Sequence, residues 1–260
     1  MVTESVKYLK RDDLPALAYR YLPASGQGER LPPVLFCSGF RSDMEGTKAL
    51  FLEESCRRSG QAFIRFDYSG HGQSEGVFED GTISAWLEDT LAIIDHVLQK
   101  PFILVGSSMG GWIGLRAAQE RPGLVHGMIG IAAAPDFTQD IYDQEMSDDQ
   151  RAIMAAQGYI DVPNDYSPTP YRITRALIED GRKHLLLDRP LTLDMPLLLI
   201  QGMQDTDVPW QKAYRIKNAM KDESLAEVFP VESGDHRLSR PEDLALLETL
   251  VKRLSTTDQA

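Results

Sequence analysis

Short apolar runs bounded by turn residues alternate along this chain with segments whose apolar positions recur every three or four residues. The runs over 16–21, 34–37, 62–67, 102–105, 125–132, 197–201 and 226–231 read as strands. The run over 102–105 is continuously apolar, as a strand buried on both faces is. The segments over 48–59, 83–99, 111–120, 211–220 and 241–255 read as helices. In the second of these, Trp86, Leu87, Leu91, Ile94, Val97 and Leu98 fall on one helical face. Thr47 is placed to cap the first, and Pro241 suits the opening turn of the last. This alternation predicts an α/β fold, with a mostly parallel central sheet and helices on both faces. The pattern breaks over 135–190, where no strand is legible and two helical stretches, 148–158 and 171–187, are expected. The domains expected are a core over 1–134 and 191–260 and a helical cap over 135–190.

Composition narrows the function. The 260 residues are 42% hydrophobic, enough for a substantial core. The net charge of −12 disfavours nucleic acid and anionic membrane surfaces as partners. Two cysteines, Cys37 and Cys56, make neither a disulfide framework nor a Cys-rich zinc site. No run approaches the roughly 18 apolar residues of a membrane span. Met1 to Ser5 show no basic or apolar leader pattern, so a cytoplasmic protein is expected.

The candidate chemistry starts at Gly106-Ser107-Ser108-Met109-Gly110, a G-x-S-x-G between an apolar strand and a helical segment. Such a serine sits on a sharp strand-to-helix turn with its hydroxyl exposed. A second match, Gly72-Gln73-Ser74-Glu75-Gly76, lacks that context, so Ser108 is the expected nucleophile. A serine needs a base. Of the five histidines, His236 follows the last strand and is favoured; His71, in a glycine-rich loop, is the other contender. The orienting carboxylate should follow the strand before that. Asp205, three residues past Gly202, is favoured over Asp207. Oxyanion donors are expected from the Met109 N–H, directly after the nucleophile, and from Phe40 in the loop after the strand at 34–37.

With these residues in place, the chain from about 30 to 250 resembles the α/β-hydrolase superfamily. Ser38-Gly39-Phe40 stands where that family has its oxyanion segment. The stretch from Asp67 to Ser74 matches its loop after the second parallel strand, and that from Gly202 to Trp210 its acid loop. The resemblance implies an α/β-hydrolase fold with the cap inserted between the sixth and seventh strands. A narrower likeness is to the mitochondrial acyl-protein (palmitoyl-protein) thioesterases that also cleave acyl glucuronides. It is carried by Ser42 to Ala49, Ile64 to Gly70, Gly106 to Trp112 and Ser233 to Arg237. It implies a serine hydrolase of acyl thioesters or carboxylic esters, acting on small-molecule or acyl-protein substrates without metal or organic cofactor. A serine peptidase of the same fold and a catalytically weak binding module are the alternatives. Cap residues including Ile141, Tyr142, Met146 and Tyr166 suit an acyl chain, while Trp112 and Trp210 are expected near the site edge. The acidic stretch from Asp136 to Asp149 reads as an exposed linker face.

Overall fold

The structure, a computed structural model, describes residues 5–98, 100–164 and 169–256. Two antiparallel strands open the chain, β1 (Lys7–Arg11) and β2 (Leu14–Leu22). Then β3 (Val34–Cys37), α1 (Thr47–Ser59), β4 (Phe63–Phe66), α2 (Ile83–Ile93), β5 (Phe102–Ser107), α3 (Met109–Glu120) and β6 (Val125–Ile131) follow in strict alternation. An insertion holds α4 (Phe137–Asp140), α5 (Asp148–Gln157), β7 (Tyr159–Val162), β8 (Tyr171–Thr174) and α6 (Arg175–Gly181). The chain closes with β9 (Leu197–Gly202), α7 (Gln211–Ala219), β10 (Ala226–Val231) and α8 (Pro241–Thr256).

Eight strands form one sheet in the order β1-β2-β4-β3-β5-β6-β9-β10. Only the pairs β1/β2 and β2/β4 are antiparallel. The sheet is thus mostly parallel, as the alternating sequence predicts. Strand periodicity sends alternate side chains to opposite faces. Leu35 and Cys37 of β3 and Leu104 of β5 join the layer made with α2, α3 and α7, where Trp86, Trp112 and Ile216 are fully buried. Val34, Phe36, Ile103 and Val105 join the layer made with α1 and α8. There Leu52 and Cys56 of α1 meet Leu247, Leu250 and Leu254 of α8, which are spaced to face one way.

Several expectations are corrected. The helix start at α1 is Gly46, with no side-chain cap; Thr47 is the first helical residue rather than the cap. The helix expected over 83–99 is regular to Ile93 and widens into a π turn over Ile94–Leu98; Gln99 lies outside the described residues, as does Tyr166. The insertion is not purely helical. Tyr171–Thr174 is a strand, paired antiparallel with Tyr159–Val162. Ile160 and Ile173 face each other in this pair and bury, with Met146, Met154 and Ile178, in a small apolar cluster of the insertion's own. The acidic stretch is not merely a solvated face either. Asp136 is buried, and its two oxygens accept the N–H groups of Leu186 and Leu187, each at 2.9 Å. Asp140 pairs with the buried ammonium of Lys212 on α7.

Candidate active site

In a parallel sheet, the loops at the C-terminal ends of the strands meet along one edge, where such folds place ligands. Four of those loops converge here. Ser108 leaves the end of β5 with φ 54° and ψ −118°, outside the helix that starts at Met109. A serine held at positive φ carries a local cost of about 1–3 kcal/mol, tolerated only where the surroundings enforce it. They do so here. The Ser108 N–H donates to Ile131 O (2.9 Å), and its carbonyl accepts from Gly111 and Ala134. The turn also needs glycine at 110, where an added methyl would meet Cys37 O at 2.2 Å and Ser38 O at 2.5 Å. That contact brings the loop after β3 directly against the turn at Ser108. Gly39 packs there too, a methyl built on it lying 3.3 Å from the Ser108 Cβ.

The loops after β9 and β10 supply the next pair. The Asp205 side chain is fully buried, and its Oδ2 lies 2.9 Å from His236 Nδ1. The same carboxylate accepts the N–H groups of Asp207 (2.9 Å) and Val208 (2.8 Å) and the amide of Gln201 (3.2 Å). Donors on several sides fix the direction in which the carboxylate faces. Asp207 is therefore a donor to the favoured acid through its backbone, with its own side chain at the cavity wall. With Nδ1 hydrogen-bonded to Asp205, the imidazole presents Nε2 to the other side.

Ser108, Met109, Phe40 and His236 all line one cavity of about 880 Å³. Met109 opens α3, so its N–H has no partner within the helix. Among the described residues, nothing accepts from the N–H of Phe40 or of Met109. The remainder of the wall is divided in character. On the insertion side Phe137, Ile141, Met146, Ile160 and Ile173 form an apolar patch beside Glu145, Gln150 and Asn164, while Arg41, Lys48 and Arg237 lie on the core side. The arrangement carries the parts for acyl transfer: a hydroxyl on a strained elbow, an oriented imidazole and two unused N–H donors.

A model of the α/β-hydrolase fold matches residues 32–158. Over 257 residues the chain is 37% identical to the mitochondrial palmitoyl-protein thioesterase ABHD10 of Bos taurus, covering 97% of this chain and 82% of the relative. The chain belongs to the α/β-hydrolase family. The Mus musculus counterpart is 38% identical, covering 97% and 84% of the two chains. Among solved structures, a putative hydrolase from Agrobacterium vitis S4 superposes with a TM-score of 0.90 at 41% identity, covering 96% of this chain and 98% of that one. Alpha/beta hydrolase domain-containing protein 10 from mouse superposes at 0.86 with 35% identity, covering 96% and 98%.

The other sequence candidates have structural places in this α/β-hydrolase. Ser74 accepts from the Ala18 N–H (2.8 Å) and donates to Asp67 O (2.6 Å), pinning the loop after β4 to β2. His71 is buried behind the loop at 39–44, with both ring nitrogens engaged. Trp112 is fully buried under the insertion and donates to His184 O rather than lining the cavity; Trp210 is exposed. Sequence reasoning missed Asp67, whose oxygens accept from Met44 N (2.7 Å) and Gln73 N (2.8 Å) and whose pKa burial raises. It also missed Lys48, which lines the cavity and donates to the carbonyl of Arg237 at 2.5 Å. Desolvation pushes that ammonium down to about 8. Lys48 is a polar residue in the first turn of a helix and Asp67 an acid just past a strand, and neither position signals its partners. Glu145 lines the cavity as well, its pKa raised by burial and by the neighbouring Asp140 and Asp207.

Proposed function

We propose that this α/β-hydrolase is a serine hydrolase that cleaves acyl thioesters or carboxylic esters through an acyl-enzyme. The observation that carries the reading is the 2.9 Å contact between Asp205 and His236 on a cavity shared with the strained Ser108. His236 Nε2 takes the Ser108 hydroxyl proton as Oγ attacks the acyl carbonyl carbon. The tetrahedral oxyanion accepts from the Phe40 and Met109 N–H groups. The imidazolium, stabilised by Asp205, returns its proton to the departing thiolate or alkoxide. Water then enters, His236 takes one of its protons, and the acid is released with Ser108 restored.

In this reading, residues 1–134 and 191–260 carry the chemistry and residues 135–190 act as a cap. The apolar wall built by Phe137, Ile141, Met146, Ile160 and Ile173 takes the acyl chain, since burying methylenes there is favourable by about 0.8 kcal/mol each. The names of the bovine and mouse relatives support a thioester among the substrates, and an acyl glucuronide belongs in the same panel.

The test is a side-by-side hydrolysis panel on the wild type and Ser108→Ala, with short, medium and long acyl thioesters, matching oxygen esters and an acyl glucuronide. Loss of turnover in Ser108→Ala with thioesters preferred is expected. Loss with oxygen esters or the glucuronide preferred makes the enzyme a carboxylesterase. Amide cleavage without ester preference marks a peptidase. Equal behaviour of the two proteins removes Ser108 as nucleophile and leaves a binding module.

A further inference from the structure

The loop that carries Phe40 is short and strained, with Arg41 to Asp43 exposed, yet the Phe40 N–H must point at one place. Ser42 N–H donates to Gly39 O at 3.1 Å, closing a four-residue turn over Gly39, Phe40, Arg41 and Ser42. Arg41, the third residue, sits at φ 55°. A positive φ at that position is the type II pattern, which non-glycine residues resist. Types I and II differ by a flip of the central peptide, here the one joining Phe40 to Arg41. Whatever holds the Arg41 N–H therefore selects between the two turns and fixes the plane next to the Phe40 N–H.

What holds it is His71. The Arg41 N–H donates to His71 Nε2 at 3.3 Å. On the other side of the ring, Nδ1 lies 3.2 Å from Ser69 O. A carbonyl only accepts, so Nδ1 carries the proton and Nε2 keeps its lone pair for Arg41. The ring is 4% exposed and is boxed edge-on by Tyr68, Phe78 and Trp86, with centroids at 5.6, 5.1 and 5.3 Å. Burial pushes its pKa down to about 4, which keeps the imidazole neutral at physiological pH. From the same segment, Asp67 grips the far end of the loop through the Met44 N–H.

Resting on the serine-hydrolase reading above, we propose that His71 is a positioning residue for acyl transfer. By accepting the Arg41 N–H it sets the turn that presents the Phe40 N–H to the oxyanion. It touches no reacting atom, and it acts as a fixed acceptor rather than a base.

The tautomer is read directly on the wild-type chain by nitrogen-15 NMR at neutral pH. A protonated Nδ1 with a hydrogen-bonded, unprotonated Nε2 is expected. A protonated Nε2 overturns the proposal, because that nitrogen then has no lone pair to offer. Kinetics test the consequence through His71→Gln, which keeps an acceptor near Nε2, and His71→Leu, which fills space without one. The leucine variant should lose about tenfold to hundredfold in kcat with KM nearly unchanged, short of the loss on deleting an oxyanion donor outright. Affinity for a trifluoromethyl ketone, which needs the same donors, should fall by a like factor, and glutamine should restore most of both. Equal losses in the two variants, or a change in KM alone, overturn the proposal. If the leucine variant does not fold, the tautomer measurement still decides. Failure of the hydrolase reading looks different: Ser108→Ala then keeps its turnover, while the His71 tautomer is unaffected.

Discussion

The carboxylate of Asp205 and the imidazole of His236 stand 2.9 Å apart, brought together across 31 residues by two neighbouring parallel strands, β9 and β10. The second carboxylate of the same loop, Asp207, contributes its backbone N–H to Asp205 and leaves His236 to it. The two therefore differ in what their loss should do. Asp205→Asn removes the charge that holds the Nδ1–H tautomer and is expected to lower kcat by about 10³- to 10⁴-fold, while Asp207→Asn leaves it within a few-fold. Comparable losses in the two variants, measured on one thioester, would remove the distinction.

The closeness of those two loops depends on Gly202. A methyl there would meet the carbonyl oxygens of Gly234 and Asp235, both at 2.5 Å. Gly202→Ala should force the loops apart, costing about 1–3 kcal/mol of stability and lowering Tm by roughly 2–10 °C. Because the shift falls between Asp205 and His236, kcat at 25 °C should drop at least about tenfold even where the protein remains fully folded. A melt and a turnover assay on one preparation separate the two effects.

His71 gives a pH prediction with a definite sign. Its folded pKa is about 4, against about 6.5 when unfolded. Between those values the unfolded chain binds a proton that the folded chain refuses, so stability falls as pH drops from 6.5 toward 4. The full effect of this one group is about 3 kcal/mol. His71→Gln should lose less stability over that range, seen as a smaller change in urea midpoint between pH 7 and pH 4.5. Identical midpoint shifts in the two proteins would show that another group dominates.

Ile141 lines the cavity from the insertion and is only partly buried, so a larger side chain has room to enter the proposed acyl path. Ile141→Trp should cut kcat/KM for long-chain substrates by about tenfold or more and leave acetyl esters nearly unchanged. A uniform loss over all chain lengths would place the acyl group elsewhere.

Lys212 ties the insertion to the core through Asp140 and the Pro135 carbonyl, the latter at 3.2 Å. The lysine is buried and the aspartate is not fully so. Lys212→Ala should therefore destabilise by about 2–3 kcal/mol, and adding Asp140→Asn should return part of that loss. Denaturant titration of the two single variants and the double variant measures the coupling.

Much of the fold was legible because strand and helix periodicities differ and the core strands are continuously apolar. The convergence of Ser108, Asp205 and His236 was legible because the order of elements puts their loops on one sheet edge. What was not legible depended on partners distant in sequence. Lys7–Arg11 is too polar to announce a strand, and forms one against β2 at the sheet edge. Tyr171–Thr174 continues smoothly into a helical pattern. It is extended because Ile173 pairs with Ile160, thirteen positions back and beyond the reach of a local pattern. His71 was visible as a site-lining histidine, but its role rests on a backbone N–H thirty positions away. Asp136 was one acid among many until its two backbone donors, fifty residues on, were seen.

That last contact bears on how such enzymes diversify. The insertion leaves the core after β6 and returns before β9, and these two strands are direct neighbours in the sheet. Asp136 then clasps 186–187 just outside that exit, closing the neck. Everything between is a side excursion whose ends are already held together, so its length and content can change with little effect on the spacing of the reactive groups. On the function proposed above, selection can retailor the chamber that chooses the molecule while the bond-breaking apparatus stays as inherited. Grafting a relative's 135–190 equivalent onto this frame is the engineering counterpart of that history.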